Sequence, residues 1–462
     1  MRKALGATRA APALSAAERM MAGRALREQV PRSSHGEWQA AVNRADPVAI
    51  LREFDHNRIA ELLPIRYGRM KKSPFAFLRG AAAIMAADLA RTPATGLRVQ
   101  AGGDCHIMNF GAFATAERNL IFDINDFDET LPAPWEWDIK RLAASIEVAA
   151  RTADFKTEYR EEAVRAATRA YREHMAEYAA MRVLEVWYQR IDLKALIRSM
   201  PRDAERAETR RAIEKARRDS TPGHLFPALA RSGRKPLRIN DAPPLIYHPA
   251  ERHKAAFRQR VLDGFERYAA SLPPAYRQLF QRYELQDIAI KVVGVGSVGT
   301  FCAVALFTAA EDDPLFLQVK EAGPSVLEPY AGASAFTSHG ERVVVGQRLM
   351  QSAGDILLGW TEGLEDNRHF YIRQLRDMKI AMPIETAGHT DLEYFAEACG
   401  WALALAHARS GDSAMIAGYL GSGEAFDDAL VNFAAAYADQ TERDYAALLK
   451  AIKAGRIKAA SA

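Results

Sequence analysis

The spacing of hydrophobic residues along the chain changes from a helical to a strand period near residue 280. Upstream of that point, Ser73 is an N-cap residue followed by a proline, which predicts a helix through residues 74–90. Apolar residues at helical spacing predict a second helix that begins at Asp138, whose side chain is placed to cap it. A long helix over about residues 157–192 is expected to follow.

Downstream of residue 280, short apolar runs rich in β-branched residues are separated by turns, which is typical of strands. The predicted strands are residues 287–296, 299–307, 314–322, 356–360 and 369–375, with a helix over residues 339–351. The first three strands are joined by short turns, so antiparallel pairing is expected. Helices resume at Asp391 and continue to residue 462. The sequence therefore predicts an α+β protein with a small antiparallel sheet.

These changes in pattern divide the chain into four segments. Residues 1–45 are rich in Ala and Arg and are expected to form an N-terminal arm or a loosely packed pair of helices. Residues 46–280 are mainly helical, residues 281–380 carry the sheet, and residues 381–462 are helical again. Within the second segment, residues 201–249 are first charged and then rich in Pro, which indicates a solvated helix followed by an irregular connection.

Composition narrows the class of protein. The chain is 49% hydrophobic and 26% charged, as in globular proteins with a large core, and its net charge of +4 is too small to predict a nucleic-acid partner. The longest apolar run, residues 73–90, contains Arg79 and Asp88, so no membrane span is predicted. Charged residues also interrupt the N-terminal apolar stretch, which argues against a secretory signal. Three widely spaced cysteines without a CxxC pair fit a reducing cytoplasm.

The most informative stretch is GGDCHIMNFG, residues 102–111, which lies between two short predicted strands and is followed by FDINDFDET. Phosphoryl transfer requires a carboxylate that accepts the proton of the nucleophile and oxygen ligands that hold Mg²⁺. Asp104, Asn109 five positions later and Asp123 on the next strand supply these groups. The plainer alternative is that Asp104 and Asn109 cap turns beside an acidic loop.

The segment resembles the GDxHxxN catalytic loop and the following metal-binding Asp of aminoglycoside-phosphotransferase-like and other protein-kinase-like enzymes. The WDIKRLA that follows is similar to the DPxxDLA helix start of that family. The resemblance implies that Asp104 is the catalytic base and that Asn109 and Asp123 bind Mg²⁺, with Asp126 and Asp128 as alternatives to Asp123.

Two further residues of this segment receive roles from the resemblance. His106 belongs to the catalytic loop and is expected to hold it by packing and hydrogen bonding, and Asp138 is expected to hold the loop from the helix N-terminus.

A second constellation is the glycine-rich GVGSVG, residues 294–299, with Lys320 on the third predicted strand. In a Gly-rich hairpin, backbone N–H groups can approach phosphates, and a lysine from a neighbouring strand can neutralise them. This arrangement resembles the nucleotide-binding lobe of kinases, although a tight hairpin without a ligand has the same pattern. The candidate ATP-binding residues are Gly294, Gly296, Ser297, Gly299, Lys320, Glu341 and Arg373.

The resemblance also implies a glutamate that pairs with the catalytic Lys320, and Glu328 and Glu341 are both available. Residues 370–379, FYIRQLRDMK, are expected to form a hinge whose backbone binds adenine.

A basic cluster stands just before the Ser73 helix; its members are Arg66, Arg69, Lys71 and Lys72. The cluster either holds an anionic substrate or is a solvated loop.

The order of these parts is the reverse of that in ordinary kinases, where the Gly-rich loop comes first. The chain therefore resembles a circularly permuted, two-lobed protein-kinase-like fold, with a small antiparallel-sheet nucleotide lobe and a mainly helical catalytic lobe. A bacterial family of unknown function in the protein-kinase-like group has this arrangement, and the resemblance spans roughly residues 60–445. A rival alignment takes residues 407–412, HARSGD, as the catalytic loop, but no Asn stands five positions after Asp412.

The predicted function is an ATP- and Mg-dependent phosphotransferase that acts on the hydroxyl of an unidentified small molecule. A catalytically inactive nucleotide-binding scaffold and a nucleotidyl transferase on the same fold are the alternatives. A nucleic-acid-binding module is disfavoured by the nearly balanced charge. The acceptor and the oligomeric state have no readable pattern in the sequence.

Overall fold

The computed structural model describes residues 14–199, 211, 230–231, 237–250, 255–292, 294, 298–310, 313–363, 367–375 and 387–460. These residues form an α+β protein, as predicted. The helices of the first half are α1 Ala16–Ala25, α2 Pro47–Phe54, α3 Leu63–Met70, α4 Pro74–Leu78, α5 Ala82–Leu89, α6 Trp135–Thr152, α7 Thr157–Ala180, α8 Val183–Tyr188 and α9 Leu193–Ser199. Those of the second half are α10 Ala255–Ser271, α11 Pro274–Phe280, α12 Glu328–Ala331, α13 His339–Met350, α14 His389–Ser410, α15 Ser413–Leu420 and α16 Ala425–Lys453.

In the part of the chain that the structure describes, the strands form one larger antiparallel sheet and three small ones. The strands are β1 Arg98–Ala101, β2 Phe110–Ala114, β3 Leu120–Ile124, β4 Leu131–Pro134, β5 Ile191–Asp192, β6 Ala230–Arg231, β7 Arg238–Ile239, β8 Ile246–Tyr247, β9 Glu284–Lys291, β10 Cys302–Thr308, β11 Pro314–Ala322, β12 Gly359–Glu362 and β13 His369–Gln374. The larger sheet has the order β12-β13-β11-β10-β9-β8. Its register places Lys320 of β11 between Cys302 and Tyr371 on the neighbouring strands. The predicted antiparallel sheet is confirmed.

The single helix predicted over residues 74–90 is two helices in the structure. Ser73 caps α4 as expected, because its hydroxyl accepts a hydrogen bond from the Ala76 backbone N–H. The helix ends before Gly80, whose carbonyl accepts a bond from Arg66. Glycine is a poor helix former, and this outside donor holds the chain in the turn. The break leaves Arg79 in the connection between α4 and α5.

Two predicted helix boundaries are also corrected. Helix α6 begins at Trp135 rather than at Asp138, so Asp138 lies in its first turn and its carboxylate is directed at the loop of residues 102–103 instead of capping its own helix. The long helix predicted to residue 192 ends at Ala180, and strand β5 at its predicted end pairs with β3. Pairing with a distant strand replaces the local helical period there.

The main hydrophobic core joins helices from the beginning and the end of the chain. Helix α1 packs directly on α15, because Gly23 lies against the Met415 carbonyl and Gly418 lies against the Met20 carbonyl. Arg44 forms ion pairs with Asp88 and with the distant Asp444. The described part of the predicted N-terminal arm is therefore packed on the C-terminal helices.

A smaller core of aromatic residues lies between α10, α11 and one face of the larger sheet. Its rings include Phe265, Phe280 and Phe307, whose edge-to-face contacts hold the two helices to β10. No helix among the described residues is both long enough and apolar enough to cross a membrane.

Candidate active site

A polar cavity of about 310 Å³ lies between strand β11 and the helical residues 51–83. Its volume is at the small end of the range of ligand sites in proteins. Its charged and polar lining residues are Asn57, Arg58, Arg66, Arg79, Asp104, His106, Asn109, Asp126, Asp128, Glu129, Thr300, Gln318, Lys320, Glu321 and Arg373. Residues that are about two hundred positions apart in the sequence thus meet in one space.

The Asp138 carboxylate holds the loop that carries Asp104 by two hydrogen bonds. One carboxylate oxygen of Asp138 accepts a hydrogen bond from the Gly102 N–H at 2.7 Å, and the other accepts from the Gly103 N–H at 3.0 Å. Gly103 has a φ of +78°, a backbone conformation that glycine adopts without strain. His407 of α14 is 3.2 Å from the same carboxylate. Helix α6 and a helix from the end of the chain therefore fix this loop together.

The loop is closed by a bond between two of the predicted site residues. The Asn109 amide nitrogen donates to the Asp104 carbonyl oxygen at 2.7 Å, which joins the two ends of the turn. The Ile107 N–H donates to Ser145 of α6 and fixes the middle of the turn. The two predicted residues that are five positions apart are thus parts of one rigid turn that faces the cavity.

Arg141 of α6 holds the Asp104 side chain. Its Nε and Nη2 donate to one Asp104 oxygen at 2.9 and 2.6 Å. Partial burial raises the pKa of Asp104 to about 6, although Arg141 opposes this shift and Asp126 adds to it. Asp104 is therefore ionised near neutral pH with a pKa suited to accepting a proton.

His106 lines the cavity beside Asp104 and is 4% exposed. Its Nε2 lies 4.0 Å from an Asp104 oxygen, and its Nδ1 has no hydrogen-bond partner among the described residues. Burial lowers the pKa of His106 well below its ordinary value, and Arg141 and Arg79 lower it further. The ring is therefore neutral and contributes hydrogen bonding rather than charge.

Lys320 lies in the cavity opposite Asp126 and Asp128. Its ammonium is 2.6 Å from an Asp128 oxygen and 4.0 Å from an Asp126 oxygen, and it stands over the Tyr371 ring at 5.3 Å. The Tyr371 hydroxyl donates to the other Asp128 oxygen at 2.6 Å. Burial opposes the charge on Lys320, but the two carboxylates outweigh it and hold the pKa of Lys320 well above its ordinary value.

Asp123 does not line the cavity. Its side chain points from β3 towards Ser352, whose N–H and hydroxyl both donate to one carboxylate oxygen, at 2.8 and 2.6 Å. The other oxygen accepts from the Ile124 N–H. Of the three aspartates considered for the metal, the structure brings Asp126 and Asp128 to Lys320 and leaves Asp123 engaged elsewhere.

Part of the glycine-rich segment reaches the cavity. Gly294 lines it, and Gly299 has a φ of +97° and accepts a hydrogen bond from the Ile59 N–H at 2.6 Å. Gly296 and Ser297 lie outside the described residues. This backbone hydrogen bond attaches Gly299, at the described end of the glycine-rich segment, to the helical residues that form the cavity wall opposite β11.

Neither glutamate considered as the partner of Lys320 is bonded to it. Glu328 accepts from the Ser325 N–H and lies 3.9 Å from His339, and Glu341 is in the first turn of α13, capped by Ser338. The carboxylate that pairs with Lys320 is that of Asp128, and no pattern in the sequence indicated this pairing.

Arg373 of the predicted hinge lines the cavity. Its Nε donates to Gln318 at 3.2 Å, and its guanidinium stands over the Tyr371 ring at 5.7 Å. Residues 376–379 of the hinge lie outside the described residues.

Only Arg66 of the predicted basic cluster lines the cavity; Arg69, Lys71 and Lys72 do not. Arg58 and Arg79 line it instead. The sequence does contain a signal for Arg79, because it interrupts the longest apolar run, and a charge in such a run is often functional or paired.

The rival catalytic loop lies away from the cavity. Asp412 caps α15 by accepting from the Met415 N–H and forms an ion pair with Arg19. Arg409 donates to the Leu349 and Trp187 carbonyls. Both residues have structural roles where they stand.

Arg342 of α13 is a residue that sequence reasoning missed. Its guanidinium donates to the carbonyls of Asp128, Thr130 and Gly323 at 2.7 to 2.9 Å. It therefore fixes the acidic segment next to the end of β11. In the sequence, Arg342 stands directly before three consecutive valines. A charged residue at the start of such an apolar run must find polar partners when it is buried, and this pattern could have indicated a structural role for Arg342.

Oxygen donors of the kind that Mg²⁺ prefers line the cavity. Mg²⁺ is usually held by one or two carboxylates together with substrate phosphates and water. Asp126, Asp128 and the Asn109 amide all line the cavity and are donors of this type. No group of three or more His, Cys, Asp or Glu side chains in the described ranges is arranged to hold a metal ion.

The fold and the cavity define an α+β protein with a polar site between a helical part and an antiparallel sheet. The chain belongs to the DUF2252 family, described as an uncharacterized protein conserved in bacteria, whose family model matches residues 58–451. The match includes both the loop of Asp104 and the strand of Lys320. Comparisons with curated proteins and with solved structures gave no match.

Proposed function

We propose that the protein is an ATP- and Mg-dependent phosphotransferase that phosphorylates the hydroxyl of a small molecule. The observation that carries the proposal is the meeting of Asp104, Asn109 and Asp126 with Lys320 and Arg373 in one cavity. A base, oxygen ligands for a cation and two cationic groups for phosphates are the parts that phosphoryl transfer requires.

In the proposed reaction, Asp104 orients the acceptor hydroxyl and takes its proton. The acceptor oxygen forms a bond to the γ-phosphorus of ATP as the bond from that phosphorus to the bridging oxygen breaks, and ADP leaves. Lys320 and Arg373 hold the phosphates, and neutral His106 positions the acceptor by hydrogen bonding. Asp126, Asp128 and Asn109 would hold Mg²⁺, which supplies charge neutralisation on the phosphates when bound.

We further propose that the fold is a circularly permuted form of the protein-kinase-like fold. Support comes from the position of the cavity between a small antiparallel sheet that carries Lys320 and a helical part that carries Asp104. Helix α14 follows the sheet in the chain and reaches the Asp104 loop through His407 and Asp138. Three buried cysteines without disulfide partners support a cytoplasmic setting.

The test measures Mg-dependent ATP binding and then transfer from γ-labelled ATP to a library of hydroxyl compounds. Asp104→Asn is expected to lower kcat by about 100- to 10,000-fold while ATP still binds, because it removes the base alone. Lys320→Met is expected to weaken ATP binding by about tenfold or more, because a charge-assisted contact to phosphate is lost. Asp412→Asn, the same change at a carboxylate outside the cavity, serves as the control.

The products distinguish the alternatives. ADP with a phosphorylated acceptor supports the proposal, whereas pyrophosphate with an adenylated acceptor identifies a nucleotidyl transferase. ATP binding in both the wild type and Asp104→Asn, without turnover in either, identifies a nucleotide-binding scaffold. In each of these functions the Lys320–Asp128 ion pair must open before Lys320 can hold a phosphate. The absence of ATP binding would refute both.

A further inference from the structure

Two side chains from neighbouring strands of the larger sheet reach the same carboxylate. Lys320 of β11 and Tyr371 of β13 stand directly opposite each other in the antiparallel pair, so both side chains leave the sheet on one face. The Lys320 ammonium is 2.6 Å from one Asp128 oxygen, and the Tyr371 hydroxyl donates to the other oxygen at 2.6 Å. Asp128 is therefore attached to the sheet by one charged donor and one neutral donor.

The two donors differ in how easily they can leave the carboxylate. Lys320 lines the cavity, and its ammonium is at the end of a flexible four-carbon chain. Tyr371 does not line the cavity and is 1% exposed, and its strand is paired on both sides, with Lys320 and with Trp360. A rigid ring that the sheet holds in place carries the tyrosine hydroxyl. Ligand binding in the cavity can therefore draw Lys320 away from Asp128 but leaves Tyr371 where it stands.

The backbone of Asp128 is fixed as well. One guanidinium nitrogen of Arg342, Nη2, donates to the carbonyl oxygens of Asp128 and Gly323, at 2.9 and 2.8 Å. Gly323 directly follows β11, the strand of Lys320. Two contacts that do not involve the Lys320 side chain, one to the main chain and one to the carboxylate, thus hold Asp128 in place.

The hydroxyl bond has its largest effect when the ion pair opens. A partly buried carboxylate that loses its cation is strongly destabilised unless other donors remain on it. A hydrogen bond donated to an ionised carboxylate is roughly twice as strong as one between neutral groups. In the open state the hydroxyl dipole acts on a full negative charge that no ammonium neutralises. The Tyr371 bond is therefore stronger in the open state than in the closed state, and it lowers the cost of opening the pair.

We propose that Tyr371 is a positioning residue whose hydroxyl holds the Asp128 carboxylate in place when Lys320 leaves it for the phosphates of the nucleotide. The inference rests on the proposed phosphotransferase function and requires no contact between Tyr371 and a substrate. Tyr371 acts through Asp128, so its hydroxyl strengthens nucleotide binding without taking part in the transfer step. A phenylalanine at this position fills the same space but lacks the donor.

The first test compares Tyr371→Phe with the wild type by titration calorimetry, using a hydrolysis-resistant ATP analogue with a metal chelator and again with Mg²⁺. The variant keeps the ring over which Lys320 and Arg373 stand and loses only the hydroxyl. We expect the analogue to bind about tenfold more weakly under both conditions. Equal binding would overturn the proposal. Tighter binding would overturn it too, because the hydroxyl would then hold the pair closed.

The matched control is Tyr283→Phe, because the Tyr283 hydroxyl also donates to an aspartate, Asp313, at 3.1 Å, and neither residue lines the cavity. This change is expected to leave the affinity for the analogue within about twofold. Tyr371→3-fluorotyrosine keeps the shape of the ring and makes the hydroxyl a stronger donor, so the analogue should bind about two- to threefold more tightly. That variant decides the question if Tyr371→Phe does not fold, since binding that is no tighter contradicts the proposal.

A double-mutant cycle shows whether the hydroxyl acts through Asp128. With the chelator present, Asp128→Asn is expected to bind the analogue at least as tightly as the wild type, because no ion pair has to open. Adding Tyr371→Phe to Asp128→Asn is then expected to change the affinity by less than about twofold. A loss of about tenfold in both backgrounds would refute the role of Tyr371, since the hydroxyl would then act independently of the carboxylate.

The last measurement is turnover of the wild type and Tyr371→Phe. The variant is expected to raise KM for ATP by about tenfold and to change kcat by less than about threefold, because the lost interaction serves binding alone. A fall in kcat at unchanged KM contradicts this expectation. If the analogue does not bind to the wild type, the phosphotransferase proposal fails and the role of Tyr371 fails with it. Equal binding by the wild type and Tyr371→Phe eliminates only the role of Tyr371.

Discussion

Two opposing influences determine the pKa of Asp104. Removal from water raises it to about 6, and the two hydrogen bonds from Arg141 act against that rise. A carboxylate with this pKa is charged at neutral pH and still accepts a proton during reaction. The rate of the proposed phosphoryl transfer is therefore expected to fall as the pH drops below about 6.

Arg141→Gln should move this acid limb to higher pH, because the charge that favours ionised Asp104 is removed. We expect kcat at neutral pH to fall by on the order of tenfold to a hundredfold, since the carboxylate also loses its orientation. The measurement is the pH profile of kcat/KM. Arg141→Lys keeps the charge and should restore the position of the limb in part, and an unshifted limb in Arg141→Gln would show that Arg141 has only a packing role.

Single side chains also show where sequence patterns are ambiguous. Asp123, Asp126 and Asp128 stand in one short acidic segment and are chemically equal in the sequence. The structure separates them, because Asp123 lies on β3 and faces Ser352 while the other two follow the strand and face Lys320. Side chains change direction where a strand ends, and no spacing rule predicts that point to within one residue.

Among the helices, α7 and α14 form a close contact that aligns the loop of Asp104. Gly400 of α14 lies directly against the backbone of α7, so that a Cβ there would stand 2.0 Å from the Ala167 carbonyl oxygen. This approach also brings His407 of α14 to Tyr171 of α7 and to Asp138 under the loop. The packing of two helices thus sets the position of Asp104 indirectly.

Gly400→Ala is expected to lower the free energy of unfolding by about 1 to 3 kcal/mol, because the added methyl group must push the helices apart. The matched control is Gly264→Ala in α10, where nothing lies within 4 Å of the added atom. That change is expected to stabilise the protein by about 0.5 to 1 kcal/mol through helix propensity. Denaturant unfolding of both variants measures the difference, and equal effects would contradict the close contact.

Segments from both ends of the chain meet around one buried lysine. Lys140 of α6 is fully buried, stands over the Phe433 ring of α16 at 5.2 Å, and its ammonium has no hydrogen-bond partner among the described residues. Burial lowers the pKa of Lys140 to about 7, and Glu136 opposes the shift. His35 from the N-terminal segment packs nearby, and burial together with Lys140 lowers its pKa to about 3.

Since the folded pKa of Lys140 lies below its ordinary value of 10.5, the unfolded chain binds more protons between about pH 7 and 10.5, and stability rises with pH over that window. Lys140→Met should remove this rise and stabilise the protein by about 1 to 4 kcal/mol at pH 7. Unfolding curves at several pH values test both effects. Lys450→Met, at an exposed position of α16, should keep the slope of the wild type, and an equal slope in Lys140→Met would refute the assignment.

Local chemistry in the sequence was sufficient to predict the antiparallel strands, the cap at Ser73, and the residues Asp104, Asn109 and Lys320 that line the cavity. These features depend on period, capping and side-chain type, which neighbouring residues determine. The pairing of Lys320 with Asp128, the role of Arg79 in the cavity wall and the break at Gly80 depend on contacts between distant segments. Such contacts arise only when the chain packs, because burial and long-range partners outweigh local preference.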